Sequence, residues 1–242
     1  MRRQAQPRIL VLQHMSLAHA GIFRACMRAA GMAWDVVALE AGEPIPTLAD
    51  YDALLVMGGA MDVWQEAQHP WLRAEKQAIR AAVLEHGMAY LGICLGHQLL
   101  AAALGGEVRE AATPEVGIRE VRLNAAGRSS PLFEGLPERS RWLQWHAAEV
   151  VTPPAGAEVL AYSDACAVQA LAVGERAFGL QFHAEVDLPT LADWLSDAET
   201  RAALVRHRGA DGPERLRAEA AAAMPALEGA ARQIFDNFRA LL

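Results

Sequence analysis

Residues 88–98 read Met88-Ala89-Tyr90-Leu91-Gly92-Ile93-Cys94-Leu95-Gly96-His97-Gln98. An apolar run of strand length enters Gly-x-Cys-x-Gly and passes straight into a helical pattern. An unbroken apolar run is what a strand buried on both faces requires. The two glycines let the backbone turn sharply at little steric cost. A strand, a sharp turn bearing one nucleophilic side chain, and a helix together have the form of a nucleophile elbow. The turn lifts that side chain above the carboxyl end of the sheet, where open α/β folds bind ligands. It also sets the Cys94 thiol at a helix N-terminus, whose positive dipole end favours a thiolate. The other reading of Cys94 is a small buried residue at a strand end; the paired glycines favour the nucleophile.

The sequence on either side fits the same architecture. Ile9–Leu12, Trp34–Leu39 and Asp52–Met57 read as further buried strands. Leu17–Ala30, closed by Gly31, reads as a helix, as does the amphipathic stretch from Pro70-Trp71 to His86. Alternation of this kind predicts a parallel sheet with helices on both faces. From about Glu107 to Phe182 the strand candidates shorten: Val116–Leu123, Val150-Val151, Val159–Tyr162, Ala167–Val173 and Ala177–Phe182. Antiparallel strands are expected to extend the sheet there. After Leu188 the chain reads as alanine-rich helix, broken near Gly209–Gly212 and Pro225. The expected organisation is an α/β domain over 1–186, with 187–242 as a helical C-terminal extension of the same domain.

Composition narrows the function. A chain of 242 residues, 53% hydrophobic, can bury a full core without disulfides or metals. A net charge of -7 argues against a nucleic-acid partner, which calls for a basic surface. No run of about 18 apolar residues offers a membrane span. The basic start, Met1 to Pro7, is followed by a strand-length run only, which argues against a signal peptide. Three cysteines, Cys26, Cys94 and Cys166, do not make a disulfide framework, and a reducing, cytoplasmic setting is expected. Lys76 is the single lysine, so no Gly-Lys-Ser/Thr phosphate loop exists and ATP-driven chemistry within this chain is not expected.

A thiol nucleophile needs a base and a group to orient it. His183 closes an apolar strand in Gly179-Leu180-Gln181-Phe182-His183-Ala184-Glu185, and so points to the same edge of the sheet. Glu185, two residues on, can fix its tautomer and stabilise the imidazolium. His97 lies three residues into the helix, where geometry directs it beside the sheet rather than over the thiol. His146, in Trp145-His146, is a candidate for the substrate pocket; His14, His19, His69, His86 and His207 carry no supporting context. Gly58-Gly59 ends the third strand at the active edge. It reads either as a plain turn or, with the N–H of Leu95, as an oxyanion hole. A metal is not expected. A zinc deaminase would place Pro-Cys-x-x-Cys after His-x-Glu, and no Cys-x-x-Cys occurs here.

Taken together, these residues resemble the class I glutamine amidotransferases, which use a Cys–His–Glu triad. Gly92–Gln98 is similar to the family's Gly-x-Cys-x-Gly-x-Gln, Phe182–Glu185 to its Phe-His-Pro-Glu, and Gly58-Gly59-Ala60 to its Gly-Gly-Pro. The stretches Met57–Val63, Pro70-Trp71-Leu72 and Trp145-His146 resemble the stand-alone members that are similar to the amidotransferase domain of GMP synthase. The resemblance implies an open, mostly parallel, flavodoxin-like sheet. It implies hydrolysis of an amide through a γ-glutamyl thioester on Cys94, with no cofactor. It implies a glutamine pocket near Gly58, Gly59, Leu95, Gln98, Gly117, Trp145 and His146. A synthetase or acceptor chain is the partner it suggests. Ala60 and Ala184 replace prolines, and Ala148 stands where an acidic residue is expected, which leaves the bound amino acid open. The same triad would serve a γ-glutamyl peptidase. A non-catalytic regulatory relative would usually have lost one of the three residues.

Overall fold

The computed structural model describes residues 6–242; the basic Met1–Ala5 lies outside the described residues. A nine-stranded sheet runs in the order β2-β1-β3-β4-β9-β8-β7-β5-β6. Its parallel half comprises β1 (Arg8–Gln13), β2 (Ala33–Ala38), β3 (Ala53–Val56), β4 (Ala89–Ile93) and β9 (Ala177–Leu180). The antiparallel half adds β5 (Glu107–Leu123), β6 (Arg139–Thr152), β7 (Ala157–Tyr162) and β8 (Ala170–Val173). The sheet expected from the alternating pattern is therefore present, continued by the antiparallel strands.

Side chains alternate across a strand, and this explains the unbroken apolar runs. Ile9 and Val11 of β1 face one core with α1 (Gly21–Ala29), α5 (Leu188–Ser196) and α7 (Gly212–Arg239). Leu10 and Leu12 face a second core with α2 (Trp71–Arg80) and α3 (Leu95–Ala103). The short α4 (Ala125–Ser129) follows β5, and α6 (Ala198–Arg208) lies between α5 and α7.

Three boundaries differ from the sequence expectation, each for a physical reason. First, α1 starts at Gly21, not Leu17. Gly21 has φ +41°, outside the helical range, and its N–H donates to His19 Nδ1 at 3.1 Å. Second, Val150-Val151 is only the end of the 14-residue β6, paired with the 17-residue β5 from Glu107↔Thr152 to Arg122↔Arg139. Much of this ribbon is solvent-facing and rich in Arg and Glu, so it lacks the apolar signature of a buried strand. Third, Pro225 sits inside α7 without ending it. It and Ala221, whose carbonyl loses its intrahelical donor, are both exposed. The buried stripe through Leu216, Ala220, Met224, Leu227, Ala231 and Ile234 holds the helix to the sheet.

Candidate active site

Cys94 follows β4 and precedes α3, and it has φ +51°, the one non-glycine positive φ among the described residues. Strain of this kind costs on the order of 1–3 kcal/mol and persists only where the surroundings enforce it. The flanking glycines do so by close approach. A Cβ on Gly92 would lie 2.5 Å from the Gly96 carbonyl, and one on Gly96 would lie 2.2 Å from the Val56 carbonyl. The Cys94 N–H donates to Leu180 O at 2.7 Å, tying the elbow to β9.

The end of β9 brings the partners. His183 Nδ1 lies 2.8 Å from Glu185 Oε1, both side chains buried. Burial pulls the His183 imidazole down, but the Glu185 carboxylate and the charge on Cys94 outweigh it and hold it at about 10. The ring at rest is therefore an imidazolium, ready to give up a proton. Two contacts reach the sulfur itself. The Cys94 thiol donates to Trp145 O at 3.7 Å, and Gln181 Nε2 donates to Cys94 Sγ at 3.6 Å. The N–H groups of Gly59 and Leu95 find no acceptor among the described residues, as a waiting oxyanion hole requires.

Cys94 is 5% exposed, and that small window opens into a pocket of about 100 Å³. Met15, Leu17, Gly59, Ala60, Trp145, His183, Trp194 and Thr200 line it with Cys94. It continues into a cleft of about 430 Å³ that reaches Asp62, Gln98, His146 and Ala148, and Asp197, Glu199, Arg206 and His207 on the far side. A thiolate, an imidazolium held by a carboxylate, and two free backbone N–H groups at one pocket can carry out acyl transfer.

The sequence profile of the family "Glutamine amidotransferase class-I" matches residues 20–197. The chain belongs to this family. Its members hydrolyse the side-chain amide of glutamine to release ammonia. The glutamine-hydrolysing subunit of a GMP synthase from Sulfurisphaera tokodaii is 38% identical over 154 residues, covering 63% of this chain and 77% of that protein. A GMP synthase from Aeropyrum pernix is also 38% identical, over 64% of this chain but only 28% of that longer protein. A glutamine amidotransferase structure from Thermotoga maritima superposes with a TM-score of 0.87 at 26% identity, covering 97% of this chain and 99% of that one. A second, from Methylobacillus flagellatus at 23% identity and TM-score 0.84, shares the fold.

Most residues singled out in the sequence of this amidotransferase meet at the cleft. Cys94, Gly59, Trp145 and His183 line the inner pocket, and Gln98 and His146 the outer cleft. Gln98 is occupied within the protein: its Nε2 donates to Ala148 O at 2.9 Å and to Gln181 Oε1 at 3.1 Å. Gly117 is the exception. It faces the Arg208 guanidinium and Glu219, while its neighbour Val116 lines the cleft. His97 is fully buried against Gly179. Burial drives it down to about 3, the nearby backbone of Gly179 and Val168 opposing this without closing a hydrogen bond, so it stays neutral.

Two functional-site residues of the amidotransferase were missed by sequence reasoning. Trp194 of α5 stacks edge-on against His183 (5.0 Å) and Trp145 (5.7 Å), and its indole N–H donates to Leu17 O at 2.8 Å. Nothing local in an alanine-rich helical stretch signals that role. Gln181, which reaches the sulfur, is the other; its spacing of two from His183 along an extended segment was the available signal.

One cluster has metal-ligand composition. Glu115, His146 and Cys166 each place a ligand atom within 4.8 Å of the others. Glu115 is already satisfied by Ser163 Oγ at 3.0 and 2.9 Å and Gln169 Nε2 at 2.7 Å. Burial pushes the Cys166 thiol far up, so it stays protonated. The trio is a buried polar network that joins β5, β6 and the segment after β7.

Proposed function

We propose that this protein hydrolyses the γ-amide of glutamine, with Cys94 as nucleophile, His183 as acid and base, and Glu185 as the group that orients His183. The observation that carries the reading is the His183–Glu185 bond beside the strained Cys94 elbow. The Cys94 thiolate attacks the γ-carbonyl carbon. The resulting oxyanion takes hydrogen bonds from the Gly59 and Leu95 N–H groups. His183 gives its proton to the departing nitrogen, and ammonia leaves a γ-glutamyl thioester. His183, now neutral, takes a proton from water as that water attacks the thioester. Glutamate departs, and the thiolate–imidazolium pair is restored.

Relatives that are glutamine-hydrolysing subunits of GMP synthase support a synthetase chain as the taker of ammonia. No helix among the described residues is long and apolar enough to cross a membrane, and the three cysteines are free; both fit action in the cytoplasm. A second reading has its own observation. The cleft runs past the thiol to the charged groups Asp197, Glu199, Arg206 and His207, leaving room for a γ-glutamyl substrate with a larger leaving amine. The test is ammonia or amine release from glutamine and a panel of γ-glutamyl compounds, with and without ATP-magnesium, with Cys94→Ala as the blank. Turnover of glutamine without nucleotide supports the first reading, and preference for a γ-glutamyl peptide the second. Activity surviving in Cys94→Ala would sink both.

A further inference from the structure

His14 stands just past β1 and has no part in the chemistry above. It is fully buried. Its Nδ1 lies 3.0 Å from the Gly58 carbonyl oxygen, and its Nε2 lies 2.8 Å from Glu75 Oε1 on α2. The ring stacks on Trp71 with centroids 5.4 Å apart. Glu75 is fully buried as well, and its second oxygen has no partner. A carboxylate withdrawn this far from water is costly unless paired. Burial pulls the His14 imidazole down, but Glu75 and the backbone carbonyls overcome this and leave it above the ordinary histidine value. A carbonyl and a carboxylate can only accept, so both ring nitrogens donate.

The Gly58 carbonyl and the Gly59 N–H belong to one planar trans unit and point in opposite directions. Whatever grips the carbonyl on one side therefore sets the N–H on the other. Gly59 borders the cleft, and its N–H finds no acceptor among the described residues. The peptide is also next to the chemistry: a Cβ on Gly58 would lie 3.2 Å from His183 Cε1 and 3.6 Å from Cys94 Cβ. Two successive glycines have no side chains to fix this peptide, and its rotation is intrinsically soft.

We propose that the buried His14–Glu75 pair is a positioning device that locks the 58–59 peptide with the Gly59 N–H aimed at the carbonyl under attack. The inference rests on the amide hydrolysis proposed above. The pair touches neither the thiol nor the cleft, so its influence on rate passes through the Gly59 N–H.

Two substitutions separate the contacts. An Asn amide nitrogen occupies the place of Nδ1, so His14→Asn keeps the grip on Gly58. A Gln amide nitrogen occupies the place of Nε2, so His14→Gln keeps Glu75 and releases Gly58. The expected loss in kcat for His14→Gln is roughly 10- to 100-fold, below the ~10²–10³ of a removed oxyanion donor. His14→Asn should retain most of the activity, and KM should hold in both, since the interaction is made only in the transition state. Two probes distinguish aim from general loosening. The γ-semialdehyde of glutamate forms a thiohemiacetal with an oxyanion on Cys94; chloroacetamide alkylates the same sulfur without one. His14→Gln should weaken the aldehyde in proportion to kcat/KM and leave alkylation unchanged. Glu75→Gln is isosteric and takes over if the His14 variants do not fold, with the same split expected. Equal activity of the Asn and Gln variants, or a parallel fall in aldehyde binding and alkylation, overturns the proposal. Should the wild-type protein turn over no γ-glutamyl amide, the hydrolysis reading fails on its own. The crystal structure of a folded variant then decides the clamp: a rotated 58–59 peptide supports it, and an unmoved one overturns it.

Discussion

Gly21 and Glu185 are in direct backbone contact: a Cβ on Gly21 would lie 1.9 Å from the Glu185 carbonyl oxygen. The Ile22 N–H donates to that same oxygen at 2.8 Å. The start of α1 thus holds the residue that orients His183. Gly21 also has φ +41°, which an L side chain adopts at a cost. Gly21→Ala should therefore lose at least about 2 kcal/mol of stability. At temperatures where it remains folded, it should also lose turnover, because Glu185 must shift. Denaturation curves and kcat on the same preparation check both. A variant with normal stability and turnover would mean that the contact is not restrictive.

The triad should behave as a unit. Cys94→Ala and His183→Ala are each expected to lower hydrolysis by roughly 10³ or more, with the double variant little worse than either. Glu185→Gln should cost less, since the ring is still held but its charge is no longer matched. His97, neutral and packed on Gly179, should affect stability rather than turnover. Near-normal rates in His183→Ala, with collapse in a His97 variant, would reverse the assignment of the base.

Alkylation should be selective. Cys94 opens to the pocket, whereas burial raises the thiols of Cys26 and Cys166, the latter strongly. Brief treatment with chloroacetamide at neutral pH, followed by peptide mapping, should mark Cys94 first. Preferential labelling of either other cysteine removes the reactivity argument.

The pairing at His183 has a pH signature. Its folded value, about 10, lies above the ordinary 6.5 of an unfolded chain. The folded state thus binds the extra proton, and its contribution is fully present below about pH 6.5. It declines as pH rises and is lost through about 10. Urea midpoints between pH 6 and 10 should fall more steeply for the wild type than for His183→Gln. Cys26 and Cys166 also titrate upward, so the difference between the two proteins is the relevant quantity. Parallel curves would show that His183 holds no extra proton.

How much could be read from the sequence depended on whether the determining contact was local. The Cys94 elbow was legible because strand, paired glycines and helix occur within a dozen residues, and each glycine has its own close-contact reason. His183 and Glu185 were legible because a strand end aims them at the same edge. Gly117 misled, since its open side faces Arg208 of α6, a residue 91 positions on, not the substrate. His14 gave no signal because its partners, Gly58 and Glu75, are 44 and 61 positions away. Pro225 misled because a helix-breaking residue on an exposed face is tolerated when the opposite face is anchored. Trp194 was hidden in a stretch whose composition says only helix.

The triad residues fall within 20–197, yet Thr200, Ala203, Arg206 and His207 form one wall of the cleft from α6. Bond making and substrate choice are thus written in different parts of the chain. Residues of the α6 wall can be exchanged without altering any atom that moves a proton. An ancestor with this fold could acquire a new amide to cleave by editing one outer helix, keeping its reaction intact throughout.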